Sequence, residues 1–435
     1  MNLLFIAIDT LRSDHLSCYG YPKPTSPRID ALAGRGVLFE QFHSVGNCTH
    51  PGFTAMFTGL FPESSGIVNH WTRVELSEAI PTMAETFARA GYRTAAIDNL
   101  YDGWVPLGHP HYPWFRRGYE HYDYPRNKGF YQPALEVAEM AGGWLEKEAQ
   151  SPFLLFVHIW NPHGPYNKAP KEFYRFYDGG DPCDPRLDSM PPNVRAPQRQ
   201  IFGKPITDPN YVVAAYDAEI AYTDHAIGML LEKLDALKLA DDTVVLITSD
   251  HGEILARPRM AVGKPWCFSH IGLNEDNLHV PLIIAGGPVK SALRVRERFQ
   301  LVDIMPTLVD MFDLRDPTKM DGVSLLPALK GASLQGRGAI FVSENTYQKQ
   351  RAAMRWPWKY MRMEAHYNAM PPRCLHNLES DPNEVVNLAD ALPDQAAEMD
   401  ALLDSCIAPL LQAGKDPLLE QDITHPLKPP PTTKY

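Results

Sequence analysis

The sequence is poor in cysteine, has no long apolar run and carries no excess of basic residues. Its 435 residues include six scattered cysteines without a CxxC pair or zinc-finger spacing, so no disulfide framework is expected. No stretch approaches the roughly 18 consecutive apolar residues that a membrane-spanning helix needs. The net charge of −11 offers no basic surface to a nucleic-acid backbone. We therefore expect neither membrane insertion nor nucleic-acid binding.

The first ten residues, MNLLFIAIDT, lack the basic segment and the small-residue cleavage site of a secretory signal peptide. We interpret them as the first strand of the fold, and we expect the protein to be cytoplasmic. The chain length suits one large core with a smaller appended part. The 44% share of hydrophobic residues is typical of a globular enzyme.

Apolar runs of strand length alternate along the chain with segments of helical periodicity, notably 82–90 and 211–237. The predicted strands are 3–8, 37–42, 93–97, 153–159, 243–248 and 280–285. This alternation predicts an α/β protein with a large central, mostly parallel but mixed sheet flanked by helices. We place this catalytic domain at 1–330, and a smaller C-terminal α+β subdomain with a Pro-rich tail at 331–435.

The Pro-rich stretch 166–209 is too long to be a simple turn. Disorder is one interpretation of this composition. We favour a partly ordered loop that faces the substrate.

Polar residues follow three of the predicted strands directly: Asp9, the pair Asn161 and His163, and the pair Asp250 and His251. Ligands of parallel sheets bind at the carboxyl ends of the strands, so these side chains are expected to converge. A carboxylate beside an imidazole is a natural pair of metal ligands. The alternative is that the aspartates are turn or helix-cap residues and that the histidine lies at the surface.

The segment 47–59, NCTHPGFTAMFTG, predicts a helix that begins just after Thr49, because proline favours the first helical position and a hydroxyl residue precedes it. The Thr49 hydroxyl would then lie at the positive end of a helix, where a nucleophile gains acidity and an anion finds a site. The alternative is that Thr49 is an ordinary N-cap.

These segments, in this order, resemble the sulfatase-type branch of the alkaline phosphatase superfamily. The resemblance also rests on WNPHGPY at 160–166, SDHGE at 249–253, VPLII at 280–284, DIMPTL at 303–308, MDGVSL at 320–325 and CLHNLESDPNE at 374–384. It covers nearly the whole chain and implies an ester hydrolase of α/β fold.

The chain departs from the sulfatase pattern at the nucleophile. Sulfatases of this branch use C-x-P-x-R, in which the cysteine is oxidised to formylglycine. Counting back from Gly59 places Thr49 at the nucleophile position, with Phe53 at the arginine position and Cys48 one residue out of register. With threonine at this position, the chain resembles the phosphoesterase and phosphotransferase members of the superfamily.

A second departure follows the strand 93–97, where sulfatases usually carry a Gly-Lys pair and this chain has Asp98 and Asn99. The resemblance implies that His270 stands where phosphonate monoesterases have a lysine. It gives the catalytic residues as Thr49, His163 and His270, the substrate-binding residues as Asn99, Tyr101, His163 and, more weakly, Lys264, and the metal ligands as Asp9, Thr49, Asp250 and His251.

We expect one divalent metal ion. Because His251 supplies a nitrogen, manganese or zinc is favoured over calcium or magnesium. The expected function is hydrolysis of a small anionic ester, with a phosphodiester or phosphonate monoester favoured. The alternatives are a sulfatase and, in another class, an inactive binding protein of the same fold.

The tail 421–435 has little helical or strand pattern, yet it carries apolar anchors at Ile423, Leu427 and Tyr435. Arms of this kind often pack on a neighbouring subunit. We therefore predict a homo-oligomer.

Overall fold

The computed structural model describes residues 1–126, 131–149, 152–187, 190, 192–255, 268–290, 292–315, 318–365, 371–411 and 414–425. These ranges leave out Lys264, one of the six cysteines (Cys267) and the tail beyond His425. The predictions made for Lys264, Leu427 and Tyr435 therefore stay predictions.

The strands form one large sheet, one small sheet and one short pair. They are Asn2–Ile8 (β1), Gly36–His43 (β2), Arg93–Ile97 (β3), His121–Asp123 (β4), Phe153–Ile159 (β5), Thr243–Thr248 (β6), Ile254–Leu255 (β7), Phe268–Ser269 (β8), Leu282–Ala285 (β9), Leu293–Gln300 (β10), Ile340–Glu344 (β11), Gln350–Arg355 (β12), Trp358–Met363 (β13) and Arg373–Asn377 (β14).

Most of the helices lie between strands in the chain, and the last two follow the last strand. They are Pro27–Ala33 (α1), Thr49–Thr58 (α2), Pro62–Ser65 (α3), Met83–Arg89 (α4), Ala134–Glu148 (α5), Pro192–Phe202 (α6), Pro209–Ala236 (α7), Glu275–Leu278 (α8), Ile304–Met311 (α9), Leu326–Leu329 (α10), Pro393–Ile407 (α11) and Pro417–Glu420 (α12). The predicted helices at 82–90 and 211–237 are thus confirmed as α4 and α7.

The large sheet has the strand order β10-β2-β9-β6-β1-β5-β3-β4. All its pairs are parallel except those of β9, which runs antiparallel to both β2 and β6. This confirms the expected mostly parallel, mixed sheet. The central strands β1, β5 and β6 are buried along their whole length, as their apolar runs indicate, because helices cover both faces. Their carboxyl ends meet at one edge, where the candidate site lies.

The small sheet is antiparallel, in the order β11-β12-β13-β14, and α11 packs against its two middle strands. Its strands β12 and β13 form a hairpin that turns between Arg355 and Trp358. Phe341 of β11 belongs to the same apolar cluster as the core of the large domain. The small sheet is therefore joined to the large domain by buried contacts, and the boundary at 330/331 stays a prediction.

Within the stretch 166–209, described residues pack on the long helix α7. Phe176 lies against Ala214, Ala218 and Ala221, and α6 forms part of the same stretch. The expectation of a partly ordered segment matches the described residues. Whether it faces the substrate stays a prediction.

The described part of the tail packs on its own chain. The amide of Asn345 donates to the Gln421 carbonyl at 3.2 Å, and the amide of Asn69 donates to the Asp422 carbonyl at 3.1 Å. The five described cysteines are free thiols. Among the described helices, none combines the length and apolarity needed to cross a bilayer.

Candidate active site

The first carboxylate of the site is placed by the end of β1. Strand pairing continues through Asp9, whose N–H donates to the Ile159 carbonyl at 2.9 Å. Thr10 then adopts φ 57°, a left-handed conformation that costs a non-glycine residue free energy and is often found at functional sites. The Thr10 N–H turns toward the Asp250 carboxylate at 3.3 Å. The strand end is thus fixed against the next carboxylate of the site.

The end of β6 supplies that second carboxylate and an imidazole. Asp9, Asp250 and His251 are fully buried, and one ligand atom from each lies within 4.8 Å of the others. The Nε2 of His251 is 3.8 Å from Asp9 Oδ1 and 3.4 Å from Asp250 Oδ2. Two ligands of one metal ion, each about 2.0–2.2 Å from it, are separated by such distances. The sequence prediction that these three side chains converge is confirmed.

The polar atoms of this cluster fit a divalent cation. Both oxygens of Asp9, Oδ2 of Asp250 and Nε2 of His251 are buried and have no hydrogen-bond partner among the described residues. Buried polar atoms are nearly always paired, so orphaned acceptors from three residues, one from each within 4.8 Å of the others, fit a cation between them. Two carboxylates and one imidazole are a donor set that divalent cations accept.

The protonation states of the cluster agree with this assignment. Burial raises the pKa of Asp9, but the imidazoles of His163, His158 and His251 lower it to about 2. Burial and the neighbouring Asp9 charge hold the pKa of Asp250 well above its ordinary value. Without a cation, the two neighbouring carboxylates favour a state in which Asp250 is protonated and Asp9 is ionised. A bound cation would take the place of that proton.

The imidazole of His251 is oriented as a ligand. Its Nδ1 lies 2.9 Å from the Gly252 carbonyl, which is the arrangement that leaves the Nε2 lone pair free. Burial, together with the nearby His270, lowers the pKa of His251 to about 3. His251 is therefore neutral at physiological pH and can coordinate a metal through Nε2.

The predicted nucleophile lies at the start of α2. The helix begins at Thr49, one residue earlier than expected, because Cys48 has the extended backbone of an N-cap with φ −142° and ψ 150°. The first turn of α2 packs tightly on the metal cluster: a Cβ on Gly52 would lie 2.9 Å from the Asp250 carbonyl oxygen. The hydroxyl of Ser44 donates to the same oxygen at 2.5 Å. Thr49 is buried in the same turn as Gly52, and its role as nucleophile and metal ligand stays a prediction.

Cys48 precedes Thr49 and is also buried. Its side chain is buried, with its sulfur 3.6 Å from the Asn47 side-chain oxygen. Burial and the nearby Glu344 hold the pKa of the Cys48 thiol well above its ordinary value. A thiol of this kind is a poor nucleophile, because the reactive form is the thiolate.

Two further histidines border the site. His163 and His270 lie with ring centroids 5.6 Å apart, and His270 lies 4.6 Å from the His251 ring. His163 Nδ1 is 2.8 Å from the Gly164 carbonyl, which leaves Nε2 for a substrate. Burial lowers the pKa of His270, but the Glu253 carboxylate raises it above its ordinary value. The structure thus brings both predicted histidines to the rim of the cluster.

The small domain completes this rim. The Tyr347 hydroxyl, in the loop between β11 and β12, is 3.1 Å from His270 Nε2. The same loop reaches the loop after α3, where the His70 N–H donates to the Thr346 hydroxyl at 2.8 Å.

Two of the predicted substrate-binding residues, Asn99 and Tyr101, lie in different surroundings. Asn99 is buried beside the site, and its side-chain oxygen accepts a hydrogen bond from the Trp160 indole at 2.7 Å. The Tyr101 ring lies against His111 and under the Arg116 guanidinium, and none of its recorded contacts is with the metal cluster. Their roles stay predictions.

Helix α7 holds two of the site loops, a role that the sequence analysis missed. The Tyr216 hydroxyl donates to the Thr10 carbonyl at 2.7 Å and accepts from the Arg12 N–H at 3.0 Å. One turn on, Glu219 accepts hydrogen bonds from the Lys168 N–H at 2.6 Å and from the Asn161 side chain. The signal in the sequence is a glutamate and a tyrosine three residues apart in a helix that is otherwise apolar on the same face.

The sequence analysis also missed His158, which lies within the apolar run of β5. Its Nδ1 is 2.8 Å from Asp98 Oδ1, and its Nε2 is 3.7 Å from Asp9 Oδ2. Burial lowers the pKa of His158, but contacts with Asp9 and Asp98 raise it to about 9. A histidine in the middle of a buried apolar strand was the available signal, since such a residue needs polar partners.

The arrangement combines a cation site, a hydroxyl at a helix N-terminus and two imidazoles at one edge of the sheet. A cation and a helix N-terminus stabilise an anion, and an imidazole can protonate a leaving group. This set of groups suits the transfer of a negatively charged group from an ester to the hydroxyl.

Comparison with known proteins agrees with this chemistry. The sulfatase family model matches residues 1–314. The chain is 27% identical to choline-sulfatase of Rhizobium meliloti, over 89% of this chain and 82% of that protein. It is 23% identical to the Delta 4,5-hexuronate-2-O-sulfatase of Bacteroides thetaiotaomicron, over 93% of this chain and 88% of that protein.

The same fold is found in the crystal structure of the phosphonate monoester hydrolase of Agrobacterium radiobacter, with a TM-score of 0.73 and 20% identity over 94% of this chain and 96% of that one. A likeness at this identity shows the fold and does not show which ester is hydrolysed. The match to the sulfatase family model shows the family, because it covers well over half of the sequence. The chain belongs to the sulfatase family, in the alkaline phosphatase superfamily, and is an ester hydrolase.

Proposed function

We propose that the protein hydrolyses phosphodiesters or phosphonate monoesters through a covalent intermediate on Thr49. One observation carries this proposal: the residue that begins α2, the helix whose Gly52 packs on Asp250, is a threonine with a plain hydroxyl and not a cysteine. A phosphorylated threonine can be cleaved by water at phosphorus. A sulfated threonine is harder to resolve in this way, whereas a formylglycine hydrate can expel sulfate by elimination.

Each residue of the site has a defined task in this proposal. Asp9, Asp250 and His251 would hold a divalent cation, which when bound neutralises their charge and polarises an oxygen of the transferred group. The Thr49 oxygen loses its proton to solvent and attacks phosphorus in line, while the bond from phosphorus to the leaving oxygen breaks. His163 donates a proton from Nε2 to that oxygen.

The second half of the reaction regenerates the enzyme. Water adds to phosphorus, His163 accepts the proton of the attacking water, and the Thr49 oxygen leaves and takes a proton from solvent. His270, whose pKa the Glu253 carboxylate raises against burial, presents positive charge to the oxygens of the transferred group.

A sulfate ester is the second candidate substrate, because the curated relatives named above are sulfatases. A homo-oligomer in the cytoplasm and a manganese or zinc ion remain part of the proposal. Elemental analysis of the purified full-length protein should find about one transition-metal ion per chain.

The test compares four substrates that share one aryl leaving group: a phosphodiester, a phosphonate monoester, a phosphate monoester and a sulfate ester, assayed with manganese and with zinc. We expect kcat/KM for the phosphodiester or the phosphonate ester to exceed that for the sulfate. A clear preference for the sulfate would contradict the proposal, and formylglycine at Cys48, detected by peptide mass spectrometry, would establish the second candidate. The absence of turnover on all four would favour a binding protein.

A further inference from the structure

His158 lies between two carboxylates at the centre of the molecule. It is fully buried on β5, and its two ring nitrogens point to different acids, Nδ1 to Asp98 and Nε2 to Asp9. Asp98 is itself fixed, since its second oxygen accepts the Tyr122 hydroxyl at 2.6 Å and its first oxygen also accepts the Leu100 N–H at 3.1 Å. The outer end of this chain of contacts is therefore rigid, and the inner end is a metal ligand.

The two oxygens of Asp9 face different histidines. Oδ1 lies on the side of His251, at 3.8 Å from its Nε2, and Oδ2 lies on the side of His158, at 3.7 Å. His158 is not part of the group of ligand atoms that all lie within 4.8 Å of one another. It therefore contacts Asp9 from outside the cation site, which is where groups that orient a metal ligand are found.

Two further residues hold the His158 ring. Phe53 packs edge to face on it, with ring centroids 4.7 Å apart. Asp98, directly after the neighbouring strand β3, lies 2.8 Å from Nδ1 through its Oδ1. The ring is therefore held from two sides.

We propose that His158 is a positioning residue that holds the candidate metal ligand Asp9 in place from outside the cation site. Asp98 fixes the ring by its contact with Nδ1, and Phe53 excludes other rotamers. Nε2 then restrains Asp9 Oδ2, so that Oδ1 stays directed at the cation. This inference rests on the cation site of the proposed function.

The test uses two substitutions that each keep one nitrogen of the ring. In His158→Asn the amide can still reach Asp98 in place of Nδ1, but nothing replaces Nε2. In His158→Gln the amide nitrogen can replace Nε2 opposite Asp9, but the Asp98 contact is lost. Manganese affinity is measured by calorimetric titration of the metal-stripped full-length protein, together with thermal stability without metal.

We expect His158→Asn to weaken manganese binding 10–100-fold, as loss of a residue that orients a ligand does, and His158→Gln to weaken it less. Asp98→Asn should give a loss between those of the two. His376→Asn is the matched control, since His376 is a buried histidine of the small sheet whose Nδ1 is 2.9 Å from the Val386 carbonyl. This variant should bind manganese like the wild type.

Three results would overturn the inference. The first is a manganese affinity of His158→Asn within twofold of that of the wild type. The second is a smaller loss of affinity in His158→Asn than in His158→Gln, which would mean that His158 acts structurally through Asp98; the third is X-ray absorption that finds two imidazole nitrogens on the metal, which would make His158 itself a ligand. If the wild type bound no metal, the proposed function would fail instead, so the two failures are distinguishable. If neither His158 variant folds, Asp98→Asn decides: unchanged affinity there overturns the inference.

Discussion

The substitution Asp250→Asn should separate the effect of the cation from the effect of the buried charge. Asp250 is one of the three residues that could hold the cation, and its Oδ2 is buried without a partner among the described residues. At a free metal concentration 100 times the Kd, binding stabilises a folded protein by about 2.7 kcal/mol. For a 435-residue chain, with an unfolding entropy of about 0.9 kcal/mol per kelvin, this raises Tm by about 3 °C.

We expect metal to raise the Tm of the wild type by this amount and to leave that of Asp250→Asn unchanged in a calorimetric or fluorescence melt. Asp224→Asn is the matched control, because Asp224 is a buried aspartate whose pKa burial raises to about 7, and it lies on α7 away from the cluster. The control should keep the metal-dependent rise. An equal rise in Asp250→Asn would refute the ligand assignment.

The same variant tests the pKa of Asp250 in the metal-free protein. Because burial and Asp9 raise this pKa in the folded state, the folded protein binds the proton more tightly than the unfolded chain does. The free energy of unfolding should therefore fall as pH rises above the unfolded value of about 3.9, until the folded pKa is reached. Asp250→Asn should lack this contribution, so its stability relative to the wild type should increase over that range. A constant difference would contradict the reasoning.

Three further outcomes are expected. His163→Gln should lower kcat by about 10²–10⁴-fold for substrates with a poor leaving group and far less for an activated aryl ester, since the latter needs no proton; equal losses would exclude a role as leaving-group acid. Gly52→Ala should lower the free energy of unfolding by about 1–3 kcal/mol in a denaturant titration, because its Cβ would meet the Asp250 backbone at 2.9 Å. The control Gly143→Ala on α5 should be neutral or stabilising, because, apart from its chain neighbours and the backbone of its own helix, no atom of the described residues lies within 4 Å of the added Cβ. Light scattering at micromolar concentration should find an oligomer, and a monomer would end that prediction.

The central sheet could be predicted from the sequence because its inner strands are apolar on both faces. The apolar runs at 3–8, 153–159 and 243–248 match β1, β5 and β6 to within one residue. The edge strands β4 and β10 were missed, since HYD and LRVRERFQ carry the polar residues of exposed strands and show no comparable run.

The metal ligands could be predicted for a related reason. Asp9, Asp250 and His251 follow apolar strands directly, and parallel strands bring such residues to one edge. His158, Tyr216 and Glu219 could not be assigned in this way, because each lies inside an element and its partner is 50 or more residues away in sequence. Only the packing of α7 and β5 on the loops brings them to the site.

The most direct test of the account is the identity of the covalent intermediate. The full-length protein with manganese is mixed with a phosphodiester, quenched in acid on the millisecond scale, digested and examined by peptide mass spectrometry. The account predicts a phosphoester on Thr49, absent from Thr49→Ala and present in Cys48→Ala, with turnover lost only in the former. Formylglycine at position 48, or a labelled residue other than Thr49, would contradict it.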